Sequence, residues 1–440
     1  MRKLLALTLA LAFSLTLLLP VGLSSGQDEI TLVFSDWHLT EPHWEIALKD
    51  AMGIFEADHP NIKVELDYVS YGEKETKYAT EIDAGAGPDV FHIHAYSLRS
   101  FMDRGYLHDI TPFIEAEGEG FPDAWYPQTL ELMQTDGTYY AMPGDFMSMV
   151  LFYNAALFEK AGLDPAQPPA TWDEFLADAQ ALTGGSTWGF GTVGAIDPGF
   201  ELRFSPILFS HGADYLTPDN KCSALNSAEA KEAFQYYINL FTEYDVIPPG
   251  VTADNPGTVR QKMAFEQIAM LLGSGWTPPI VDTNNPDLNA LEVLEAAPVP
   301  VKAGTDPEYR TTAWLSAWGM SPNTEHPDEA WELMKFITSQ AMEQKWFDDA
   351  RVLSSRQDVS GEYEPLLNDK FAKIVASELG HSKFVPQLRE WPQIIEAVNV
   401  AAQEGFTGDK SAEEALKDAY NQINELLADY RAEGETCPEF

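Results

Sequence analysis

The chain has 440 residues, 45% of them hydrophobic and 12% aromatic, enough for two filled cores and too apolar for disorder. Against 27 Lys and Arg stand 69 Asp and Glu, a net charge of −42. That excludes nucleic acid, whose phosphates need clustered basic side chains, and disfavours polyanionic solutes unless a local basic pocket overrides the field.

The first residues are Arg2 and Lys3, an almost unbroken apolar run Leu4 to Leu19, then Pro20 and small residues up to Gly26. This is the layout of a secretory signal peptide over 1–26, and the run falls short of the ~20 residues a spanning helix needs. The mature chain is therefore expected in the periplasm or outside the cell. In that oxidising setting Cys222 and Cys437, the two cysteines, are expected to pair as a disulfide that ties down the C-terminal tail.

Ile30 to Phe34 reads as a first strand, ending in Ser35-Asp36-Trp37-His38. A helix from Pro42 carries Ile46, Met52, Ile54 and Phe55, and Ile62 to Leu66 alternates as a second strand. A helical stretch around Tyr78 and Ile82 stops at Gly85-Ala86-Gly87-Pro88, and Val90 to Ile93 is a strand buried on both faces. His94 and Tyr96 follow it. In parallel α/β sheets ligands gather at the carboxyl ends of strands, which makes Asp36, Trp37, His38, His94 and Tyr96 candidates for a binding crevice. Asp36 equally suits a cap for the next helix. His92 and His94 share one strand face, as a metal pair or as ordinary hydrogen-bonding imidazoles.

Several short stretches then carry a resemblance. They are Phe55-Glu-Ala-Asp-His-Pro-Asn-Ile-Lys-Val-Glu65, Gly85-Ala-Gly-Pro-Asp-Val90, Gly105-Tyr-Leu-His-Asp-Ile-Thr-Pro112, Asp136-Gly-Thr-Tyr-Tyr-Ala-Met-Pro143, Phe152-Tyr-Asn154, Leu157-Phe-Glu-Lys-Ala-Gly-Leu163 and Thr171-Trp-Asp-Glu-Phe175. In this order the chain resembles the extracellular solute-binding proteins of ABC importers, in their carbohydrate-binding branch. Each stretch also has a plain physical reading: Asp136-Gly137 signals a hairpin turn, and Thr171 with Glu174 a capping box.

The resemblance implies an α/β, two-lobed periplasmic-binding-protein fold of type II, hinged by two or three crossings. Residues 27–142 with 310–338 form lobe 1, and 143–309 with 339–440 form lobe 2. It implies further ligand contacts at Asp145 near a crossing, Asp197 in an Asp-Pro loop, Trp276 after a Gly-Ser-Gly turn, Trp314, Ser316, Arg356 and Trp391. The physical reason for the tryptophans is that a pyranose face presents C–H groups to a flat ring while its hydroxyls reach polar neighbours. Each of these rings could equally fill a core.

The expected function is capture of a neutral sugar or oligosaccharide and its delivery to the membrane subunits of an importer. The reading expects a monomer with no cofactor, no nucleic acid and no covalent chemistry. Its rivals are a binder of anions such as glycerol phosphates, a metal binder using His92 and His94, and a glycoside-cleaving enzyme.

Overall fold

Buried apolar runs punctuated by glycine and proline set the strands. The helix Lys74–Asp83 stops where Gly85 and Gly87 take φ of 72° and 109°, and Val90–His94 follows with every residue buried. Glycine tolerates those angles because it has no Cβ. The computed structural model describes residues 29–440, so the expected signal peptide lies outside the described residues.

In the first sheet Ile30–Asp36 lies between Ile62–Tyr68 and Val90–His94, parallel to both. The return strand Thr311–Met320 runs antiparallel beside Val90–His94, and its other edge pairs with Ala141–Ser148 and then with Ser382–Lys383. The second sheet has the order Leu294–Ala297, Val150–Asn154, Ile268–Gly273, Trp188–Gly191. The chain passes from one sheet to the other at Met149, between Ala141–Ser148 and Val150–Asn154. It returns between Ala297 and Thr311. Both long strands of this crossing ribbon are buried throughout, and their register shifts between Leu315 and Ala317.

Local signals match the elements they predict. Asp136 and Gly137 both adopt positive φ at the turn of a small ribbon, as a primed two-residue hairpin turn requires. Capping boxes open the helices Trp172–Leu182 and Ala412–Leu426. The helix Ala228–Thr242 is capped by Ser227, which accepts from Ala230 N.

The sequence reading put everything after 338 in the second lobe. Instead, helix Gln340–Ala350 packs on helix Pro42–Asp58, with the Trp44 and Trp346 rings 5.5 Å apart, and Ser382–Lys383 extends the first sheet. An apolar helix face identifies an inward side, not which lobe it faces. Cys222 and Cys437 are bonded, with Cα atoms 5.7 Å apart. Among the described residues no helix is long and apolar enough to cross a membrane.

Candidate functional site

Between the two sheets lies a cavity of about 910 Å³, within the range of ligand pockets. Trp37, His38, Glu41, Tyr71, Asp145 and Trp314 line it from the first lobe and the crossing ribbon. Asp197, Arg203, Arg260 and Trp276 line it from the second.

The first strand delivers Asp36 to the start of the one-turn helix Trp37–Thr40, where its carboxylate caps His38 N at 2.9 Å. The same oxygen lies 3.1 Å from His38 Nδ1 and 3.3 Å from His92 Nδ1. Burial alone would raise the Asp36 carboxyl, but His92 and His38 outweigh it and hold the group far below its usual range. Burial lowers His38, yet Asp36 beside it brings the net shift upward. His92 stays low because burial wins there.

Stacked rings connect this corner to the core. Trp37 lies on His92 with centroids 4.1 Å apart, His92 on Trp318 at 3.8 Å, and Trp318 on Phe34 at 5.5 Å. A second stack places His94 on Trp314 at 4.2 Å, and Trp276 reaches Trp314 edge-on at 5.0 Å from the other lobe. Just before Trp276, Gly275 lets the Arg351 carbonyl oxygen come close, since a Cβ there would sit 2.2 Å from it.

Asp145 is fixed on three sides. Trp314 Nε1 donates to Oδ2 at 2.7 Å, Ser316 Oγ donates to Oδ1, and Asp145 N donates back to Ser316 Oγ at 3.1 Å. Gly144 permits the contact, since a Cβ would meet Ser316 Oγ at 2.5 Å. The carboxylate is therefore oriented before any ligand arrives.

Six expected site residues line the cavity: Trp37, His38, Asp145, Asp197, Trp276 and Trp314. The other six lie elsewhere. Asp36 is fully buried beneath the wall as a cap, and Ser316 stands behind Asp145. His94 backs Trp314, and Tyr96 lies beneath His94, with ring centroids 4.9 Å apart. Arg356 is engaged by Asp358 at 3.0 and 2.8 Å and by the Thr338 carbonyl at 3.1 Å. Trp391 is fully buried in the second lobe, edge-on to Tyr215 at 5.3 Å.

Tyr71, Arg203 and Arg260 escaped the sequence reading. Ser70-Tyr71-Gly72 follows the strand Ile62–Tyr68, so the strand-end rule that selects Trp37 also selects Tyr71. Arg203 sits on helix Glu201–Ser210, and Arg260 on helix Pro256–Ala264; a helix face gives no comparable cue. Arg203 is 4% exposed and its Nε has no partner among the described residues. Burial, with Arg260 nearby, brings its guanidinium down to about 10.

Arg260 also closes the gap, its guanidinium 3.3 Å from Glu41 of the opposite lobe. Arg260→Met is expected to loosen the unliganded closed form by about 1 kcal/mol, roughly a fivefold shift toward open. X-ray scattering would read this as a larger radius of gyration.

Glu201, buried at the start of helix Glu201–Ser210, has its carboxyl pushed up to about 8 by desolvation. A raised value stabilises the fold at low pH, and that contribution is lost as pH climbs from the unfolded carboxyl range toward 8. Glu201→Gln is therefore expected to match the wild type near pH 4 and to exceed it by up to on the order of 4 kcal/mol above pH 8. Denaturant melts across pH check this.

Two α/β lobes hinged by a buried ribbon around one interlobe cavity define the fold of a two-lobed solute-binding protein. The family model described as bacterial extracellular solute-binding protein matches residues 37–344, and the chain belongs to that family. A putative binding protein of Brucella abortus is 24% identical over 93% of this chain and 96% of its own length. A maltodextrin-binding protein of Bacillus subtilis is 21% identical over 78% of each chain. Among solved structures, a solute-binding protein of an ABC transporter from Thermotoga lettingae, bound with α-D-tagatose, superposes with a TM-score of 0.83. It is 26% identical and covers 91% of this chain and 100% of its own.

Proposed function

We propose that the protein captures a sugar or oligosaccharide outside the cytoplasmic membrane and delivers it to the membrane subunits of an ABC importer. It works as a monomer, and the binding step makes and breaks no covalent bond. The observation that carries this is the pair of indole rings, Trp276 and Trp314, meeting at one cavity from opposite lobes beside the preoriented Asp145 carboxylate. Flat rings cover the C–H faces of a sugar while Asp145, Asp197, His38 and Tyr71 meet its hydroxyls. The similarity to a maltodextrin-binding protein and to a solute-binding protein bound with α-D-tagatose supports the same class.

A thermal-shift screen against a carbohydrate panel tests the proposal, because a ligand that binds only the native state raises its melting midpoint. At least one sugar is expected to raise it. A rise with peptides alone would overturn the reading. Arg203 and Arg260 at the cavity favour a second reading, an anionic solute, so the panel includes uronates and glycerol phosphates.

A further inference from the structure

The geometry points to a binding site for a divalent transition-metal ion of the zinc type at Asp36, His38 and His92, at one wall of the interlobe cavity. Strand Ile30–Asp36, the turn after it and strand Val90–His94 bring one donor atom from each residue to within 4.8 Å of the others. Two of the spacings are 3.1 and 3.3 Å. Donors about 2.0–2.2 Å from a tetrahedral zinc stand about 3.3 Å apart, so the spacing suits that ion. Two imidazoles and one carboxylate are also a donor set such metals prefer.

Hydrogen bonding alone leaves this cluster incomplete. Both imidazoles converge through Nδ1 on one oxygen, Asp36 Oδ1, while Asp36 Oδ2 is buried without a partner among the described residues. A buried carboxylate oxygen is costly unless something meets it, and an ion held by the same carboxylate would. Neighbouring charge favours a cation: Glu41 and Asp145 add negative potential at His38, and the buried Lys74 ammonium is paired with Glu75 at 2.9 Å. The stacks of His92 between Trp37 and Trp318 and of His38 on Trp44 fix the ring planes. His94, the expected second ligand of His92, is held against Trp314 instead. His38 alone of the three lines the cavity, so the fourth coordination position is reached from there and is open to water or a solute hydroxyl.

The site stands or falls independently of the sugar reading. The full protein is treated with chelator, loaded with Zn²⁺, dialysed against zinc-free buffer and assayed for metal. About one equivalent is expected in the wild type and in His326→Gln, a histidine outside the cluster. His92→Gln and His38→Gln are expected to weaken binding by more than the roughly 10–100-fold that losing even an outer-shell partner costs. Co²⁺ in the wild type is expected to show the visible d–d bands of a four-coordinate site. A wild type that retains no zinc, or folded variants that retain as much as it does, would overturn the site. Should both variants fail to fold, the Co²⁺ spectrum of the wild type decides: bands of a hydrated octahedral ion count against it. Sugar-induced thermal shifts, recorded in the chelated protein, report on the other proposal separately.

Discussion

Trp276→Ala is expected to weaken sugar binding by roughly 30- to 1000-fold, the cost of about 2–4 kcal/mol typical of a buried aromatic anchor. The ring follows strand Ile268–Gly273 of the second lobe, is 8% exposed and meets Trp314 edge-on at 5.0 Å. Its loss removes the second lobe's flat face and leaves the other wall intact. Titration calorimetry with the sugar found in the screen measures the effect. Trp391→Phe is the matched comparison: that ring packs on Tyr215 inside the second lobe, so its replacement should lower stability and leave affinity unchanged. Equal affinities in Trp276→Ala and the wild type would remove the basis of the sugar reading.

Loss of the Cys222–Cys437 bond is the second large effect. It joins residues 215 apart in sequence. In the chain-entropy account, closing so long a loop contributes about 5 kcal/mol, lowered by residual order in the unfolded chain. The tail it secures is also held by surface contacts: Lys221 pairs with Glu435 at 3.0 Å, Asn226 Nδ2 donates to the Glu439 carbonyl at 3.0 Å, and the Lys231 ammonium lies 4.0 Å over the Phe440 ring. Cys437→Ser is expected to lower the denaturant midpoint by an amount worth 2–5 kcal/mol, in the range for native disulfides. Sugar affinity should hold within about twofold, since neither cysteine lines the cavity that Trp276 and Asp145 share.

Much of the architecture was legible because local chemistry agreed with tertiary demand. The Gly85 to Pro88 break, the Asp136-Gly137 turn and the Thr171–Glu174 capping box depend on neighbours in sequence, and each stands where it was expected. The candidate site was legible in part. Trp37 and Trp276 follow strands, and that position is visible in a linear pattern. Trp391 shows the limit, because an aromatic residue on an apolar helix face announces burial without saying in which interior. Arg203 and Arg260 lie on helices whose cavity-facing side is set by how the lobes close. The approach of His92 to Asp36 spans 56 residues and depends on adjacent strands, so it could not be read from either segment alone.

The register shift between Leu315 and Ala317 falls beside the residues that clamp Asp145, within the ribbon linking the lobes. The backbone that orients Asp145 and the irregular step of the strand pair are thus one piece, so a group bonded to this carboxylate bears directly on the segment through which the chain passes between the sheets.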